Sequence, residues 1–90
     1  MTLDIKRDTD EMRACRAGIY DFAMAIAKDA ADIRKACREA SAYKRDEVCR
    51  DALRAINNMA DNMTKQGEVA LALADRIEKS AKILEESEEL

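Results

Sequence analysis

An all-α fold is predicted, an antiparallel hairpin of two long helices, and three observations predict it. Proline is absent and glycine occurs only at Gly18 and Gly67, while Ala, Lys, Arg, Asp, Glu and Met dominate; that mixture suits helices and gives little material for strands or tight turns. Two long stripes of apolar residues follow with alternating steps of three and four. The two stripes are out of register with each other, which places a chain reversal between them.

The first stripe runs Met12, Cys15, Ile19, Phe22, Ile26, Asp29, Ile33, Ala36, Ala40, Tyr43, with Asp29 its single polar member. The second runs Cys49, Leu53, Ile56, Ala60, Met63, Gly67, Ala70, Ala74, Ile77, Ala81, Leu84, with no polar member. Seams of this length and period mark coiled-coil-like packing. Continuing the first series past Tyr43 meets only polar residues: Glu47, Arg50, Arg54, Asn57, Asp61, Thr64, Glu68. A single straight helix would therefore carry its two stripes on different faces. A turn near 42–46 removes the conflict, with Tyr43, Lys44 and Arg45 in the turn and Asp46 as N-cap of the second helix. The expected domain is one unit over 1–90, with helix 1 at about 9–41, helix 2 at about 47–86 and an acidic end at 85–90. Asp8 and Glu11 have capping-box spacing at the start of helix 1. Residues 2–7 are then an extended lead, with Leu3 or Ile5 folded over the open end.

Centring the turn between Lys44 and Arg45 gives facing layers such as Ile33 with Ile56, Ile26 with Met63, Phe22 with Gly67, Ile19 with Ala70 and Met12 with Ile77. The expected intramolecular seam is Met12, Cys15, Ile19, Phe22, Ile26, Ile33, Leu53, Ile56, Met63, Gly67, Ala70 and Ile77. Gly67 is read as a mid-helix glycine that admits Phe22; the competing reading is a C-terminal cap that divides helix 2. Asp29 is expected at the rim, with Ala30 turned inward in its place, because an unpaired buried charge is costly.

Charged residues make up 39% of the chain, yet the net charge is only −3. Such balance indicates solvated helix faces and argues against a nucleic-acid surface. Residues 1–50 carry 11 basic and 10 acidic groups, and residues 51–90 carry 5 and 9. No apolar run reaches the length of a membrane span. The opening residues lack the apolar core of a secretory signal peptide, so a cytoplasmic location is expected. Histidine is absent and the three cysteines, Cys15, Cys37 and Cys49, form no C-x-x-C pair. They read as reduced thiols behaving as small hydrophobes. No phosphate-binding loop, nucleophile elbow or Glu-x-x-His metal motif is present, and no cofactor or metal is expected. The chain is therefore expected not to be an enzyme.

Each helix also carries apolar residues beyond its seam: Tyr20, Met24, Ala27 and Ala31 on the first, Val48, Met59, Val69 and Leu73 on the second. Two helices cannot bury both stripes of each, and an apolar helix face left open usually finds a partner. These eight residues are the expected partner-binding set, and dimerisation into a four-helix bundle is the economical outcome.

The stretch Ile5-Lys6-Arg7-Asp8-Thr9-Asp10-Glu11-Met12 resembles the lead into the first helix of WXG-motif (ESAT-like) proteins of type VII secretion. Residues Met63 to Ala74, with Gly67 before an apolar run, are similar to that family's late second helix. The resemblance implies a dimeric hairpin that serves as a component, substrate or targeting partner of a type VII system, including a partner for an LXG-type toxin. It also implies export without a signal peptide, in company with a partner. Two features depart from the family. Tyr43-Lys44-Arg45 stands where Trp-x-Gly belongs, and no Tyr-x-x-x-Asp/Glu signal follows helix 2. The alternative class is a phage- or plasmid-borne inhibitor or cytoplasmic adaptor that acts through helix packing.

Overall fold

In the computed structural model, which describes residues 3–40 and 46–89, two helices account for nearly all of the chain. Helix α1 spans Leu3–Glu39 and α2 spans Glu47–Glu89. They pack against each other along their length, in an antiparallel hairpin measuring 67 × 13 × 13 Å between Cα atoms. Its radius of gyration is 20.1 Å, against about 12 Å for a compact domain of this length. The molecule is thus a single layer, two helices wide. No described helix is long and apolar enough to cross a membrane.

Asp46 caps α2 as its sequence position suggests. Its carboxylate accepts the amide of Val48 at 2.8 Å, and its carbonyl accepts the amide of Arg50 at 3.0 Å. The first contact engages one of the amides that a helix start leaves without an intrahelical partner, and the second is the first i→i−4 bond of the helix. The turn residues Tyr43, Lys44 and Arg45 lie outside the described residues.

Two expected boundaries need correction, the start of α1 and the end of α2. Helix α1 begins at Leu3, not near residue 9, so residues 3–7 are helical and not an extended lead. Helical spacing explains this: Ile5 and Thr9 extend the buried stripe backward from Met12, and Thr9 donates its hydroxyl to the Lys6 carbonyl at 3.1 Å. Lys6 pairs with Asp10 at 2.9 Å one turn on, so Asp8 has no capping task to perform. Leu3 does not fold over the open end; it is 85% exposed. At the other terminus α2 continues to Glu89, past the expected end at about residue 86.

Gly67 lies within α2 and has no positive φ. The cap reading is therefore excluded, and the helix runs straight through it.

Candidate functional site

The stripe of α2 sits where its periodicity puts it. Ala60, Gly67, Ala74 and Ala81 are buried, and Cys49, Leu53, Met63, Ala70 and Ile77 are half-buried between them. Ile56, expected in the seam, and Leu84, the last member of the stripe, are the exceptions at 40% and 39% exposure. Helix α1 keeps Met12, Ile19, Ile26 and Ile33 half-buried, but its other seam positions are shifted by one residue. Thr9, Ala23 and Cys37 are buried, not Cys15, Phe22 and Ala36. Cys15 is exposed, and Phe22 is 55% exposed. Asp29 lies outside and Ala30 inside.

The reason for the shift is steric. Small residues recur at intervals of seven on both helices: Ala23, Ala30, Cys37 on one, Ala60, Gly67, Ala74, Ala81 on the other. Facing small residues let two backbones approach toward the lower end of the usual 8–10 Å range. At that distance a phenylalanine does not fit between them. The seat assigned to Phe22 at Gly67 is therefore wrong. A Cβ built on Gly67 would meet Ile26 Cγ2 at 3.2 Å and the Ala23 carbonyl oxygen at 3.5 Å. Gly67 admits the α1 backbone and Ile26, not Phe22. Open space surrounds the corresponding position at Gly18.

This close seam has two edges, and they differ in chemistry. On one edge Arg13, Tyr20, Ala27 and Arg34 recur at sevens along α1, facing Thr64, Leu71, Glu78 and Glu85 of α2. Arg13 bridges to Glu78 at 3.4 Å and also to Glu85. These hydrogen bonds, first to Glu85 and then to Glu78, hold its guanidinium pKa above the ordinary value. Arg16 occupies the one bulky place among the small seam positions of α1. Its Nε lies 3.9 Å from Glu78, beyond hydrogen-bond reach. Five turns beyond Arg16, Arg34 Nη2 reaches Asp61 at 2.9 Å, the Thr64 hydroxyl at 2.8 Å and the Ala60 carbonyl at 3.4 Å. Polar bonds thus close both ends of this edge, leaving Tyr20 and Leu71 between them.

The other edge carries Cys15, Phe22, Asp29 and Ala36 from α1 and Ala52, Met59, Gln66 and Leu73 from α2. Antiparallel packing sets these two series side by side, just as it sets Arg13 beside Glu78. Val48, Val69 and Ile83 lie one step farther round α2 on the same side. Phe22, Met59, Val69 and Leu73 are all 46–69% exposed. None of the described interhelix ion pairs falls on this edge.

The expected partner-binding set is consequently divided. Tyr20, Met24, Ala27 and Ala31 belong to the charged edge and the α1 surface beside it. Val48, Met59, Val69 and Leu73 belong to the apolar edge. Phe22 joins the second group, and the signal that marks it is its place one residue before Ala23 in a row of small residues. Among the described residues no three Cys, Asp or Glu side chains converge as a metal set would. The surface depressions are shallow and open; that between Ala40, Cys49, Ala52 and Leu53 is apolar and reflects the small side chains near the turn. No family model, curated protein or solved structure matches this chain.

Proposed function

We infer that this chain is a non-catalytic helix-binding protein whose hairpin is completed by another helical surface. One observation carries the reading: among the described residues no Leu, Ile, Val, Met, Phe or Tyr is buried, and the buried set is Thr9, Gly67, Cys37 and five alanines. The accessible surface is 6754 Å², whereas a compact monomer of this mass exposes about 5,300 Å². The surplus, on the order of 1,500 Å², has the size of a protein–protein interface. A two-helix layer so poor in buried apolar volume has little to offset its conformational entropy.

The resemblance of residues 5–12 and 63–74 to WXG-like proteins supports a more specific role as component, substrate or targeting partner in type VII secretion. An LXG-type toxin is then a fitting partner, and export would occur with that partner. Concentration-dependent circular dichroism tests the general reading: helicity and thermal midpoint should rise from nanomolar to high micromolar chain, or on adding a partner. A rigid, fully helical monomer with a concentration-independent midpoint overturns it. The secretion role is tested separately, by following the tagged chain in the medium of hosts with and without the type VII ATPase. Retention in both would remove that role and leave helix binding standing.

A further inference from the structure

We propose that a short groove on the charged edge, between Arg34 and the reversal, binds an acidic helical segment of a partner protein. The assignment concerns a surface apart from the apolar edge and stands whether or not that edge finds a partner. Two shallow depressions make the groove. One lies against Arg34 and Arg38 of α1, the other against Arg50 and Arg54 of α2, and Leu53 and Asn57 line both. Helical spacing explains why the four arginines converge. Arg50, Arg54, Asn57, Asp61 and Thr64 follow steps of three and four along one face of α2. Arg34 bonds to Asp61 and Thr64 on that same face. With Gly67 against Ala23 and Leu53 against Cys37, the arginines alternate between the helices in the order Arg34, Arg54, Arg38, Arg50. Each lies about 3 Å farther toward the reversal than the last.

The hairpin uses two of these arginines and leaves two. Arg34 pairs with Asp61 and Arg54 with Asp51. Arg38 and Arg50 are exposed and make no ion pair among the described residues. Charge and size then select the occupant. A planar guanidinium presents a fork that matches a carboxylate. The pairs Arg34 with Arg38 and Arg50 with Arg54 each span about 6 Å, the separation of two glutamates four apart on a helix. Leu53 adds an apolar patch to the floor, and Asn57 offers both a donor and an acceptor. The groove therefore suits an amphipathic helix whose narrow apolar strip is flanked by acidic residues. It does not suit a long polyanion. Asp61 and Glu68 continue the same face of α2 beyond one end of the groove, and Glu47 stands beyond the other. A nucleic-acid strand filling the groove would run on into like charge, whereas an acidic stretch about two turns long ends before it meets either.

The test uses the full chain and a labelled synthetic helix about four turns long, with leucines along one strip and glutamates four apart on either flank. Its control carries glutamine in place of every glutamate. Fluorescence anisotropy in low salt should show the acidic peptide binding at least about tenfold more tightly than the control, a preference that shrinks between about 50 and 500 mM salt. Arg38→Ala and Arg50→Ala should each weaken the acidic peptide by about fivefold, and the double variant by about 25-fold. Because neither side chain pairs within the hairpin, circular dichroism of these variants should keep the parent spectrum and thermal midpoint, which separates lost binding from lost folding. Arg13→Ala, on the same edge at the open end, should leave the affinity within about twofold. Equal affinity for the glutamine control overturns the proposal, as does equal affinity of the double variant and the parent chain, or no binding of the acidic peptide at all. A single-stranded oligonucleotide bound more tightly than the acidic peptide, and lost in the same double variant, assigns the groove to nucleic acid and overturns it too.

Discussion

The two edges of the hairpin share one seam and one set of helices, yet they have opposite chemistry. Arg13, Arg16 and Arg34 meet Glu78, Glu85, Asp61 and Thr64 on one. On the other, Phe22, Met59 and Leu73 meet solvent. The contrast separates the groups that join the helices of one chain from those free to join another chain. Arginine suits the first task because its long stem covers the narrow seam while its fork reaches across to several acceptors. Large apolar side chains are excluded from the seam by its narrowness, and so they collect at its rim. The alanines that hold the hairpin together are therefore the cause of its exposed edge.

The contrast can be broken first at the seam. Ile26→Glu places an unpaired carboxylate between the helices beside Gly67 and should destabilise the hairpin by about 3 kcal/mol or more; urea titration followed by circular dichroism reads it. Gly67→Leu should cost about 2 kcal/mol through overpacking against Ile26 and the Ala23 carbonyl. Gly67→Ala should change stability by less than about 1 kcal/mol, because its gain in helix propensity offsets the small movement demanded of Ile26. Equal losses for the two substitutions would show that the close approach at Gly67 is mistaken. Moving to the charged edge, Arg34→Ala should cost about 1 kcal/mol, as its bonds are partly solvent-screened, and that loss should shrink in molar salt. Arg13→Ala should show the smallest effect, confined to faster amide exchange near the open end. A fall in stability as large as that for Gly67→Leu would mean that ion pairs, not small residues, hold the helices together.

The fold class and the stripe of α2 were legible in the sequence because every member from Cys49 to Leu84 is apolar or small, so a single face satisfies the period. The N-cap at Asp46 was legible because a short acidic side chain stood directly before the helical pattern. The stripe of α1 was read one residue out at alternate positions. There the sequence offers two adjacent rows, Cys15, Phe22, Asp29, Ala36 and Arg16, Ala23, Ala30, Cys37, and hydrophobicity favours the row containing Phe22. Steric fit favours the other, and fit depends on the small residues of the partner helix, which no window within α1 contains. Asp29 was the local sign of the correct row: the rotation that carries its charge outward carries Phe22, seven residues before it on the same face, outward too. The division of the exposed residues between two edges followed from the same rotation. It is fixed by contacts between the helices, such as Arg13 facing Glu78 across the seam, that no single stretch of sequence contains.

The ordering of contacts along the hairpin has a kinetic consequence. Cys37 and Leu53, 16 residues apart in sequence, sit together near the reversal, whereas Arg13 and Glu78 are 65 residues apart at the open end. Joining the open end first would close a loop about four times longer, an added entropic penalty of about 1.2 kcal/mol. The favoured route therefore starts at Asp46 and zips outward through Ala30 with Ala60 and Ala23 with Gly67. Of the described interhelix ion pairs, those of Arg13 with Glu78 and Glu85 form last. The same bonds are the first to open, so Arg13 serves as a latch that sets how often the free ends of the two helices part.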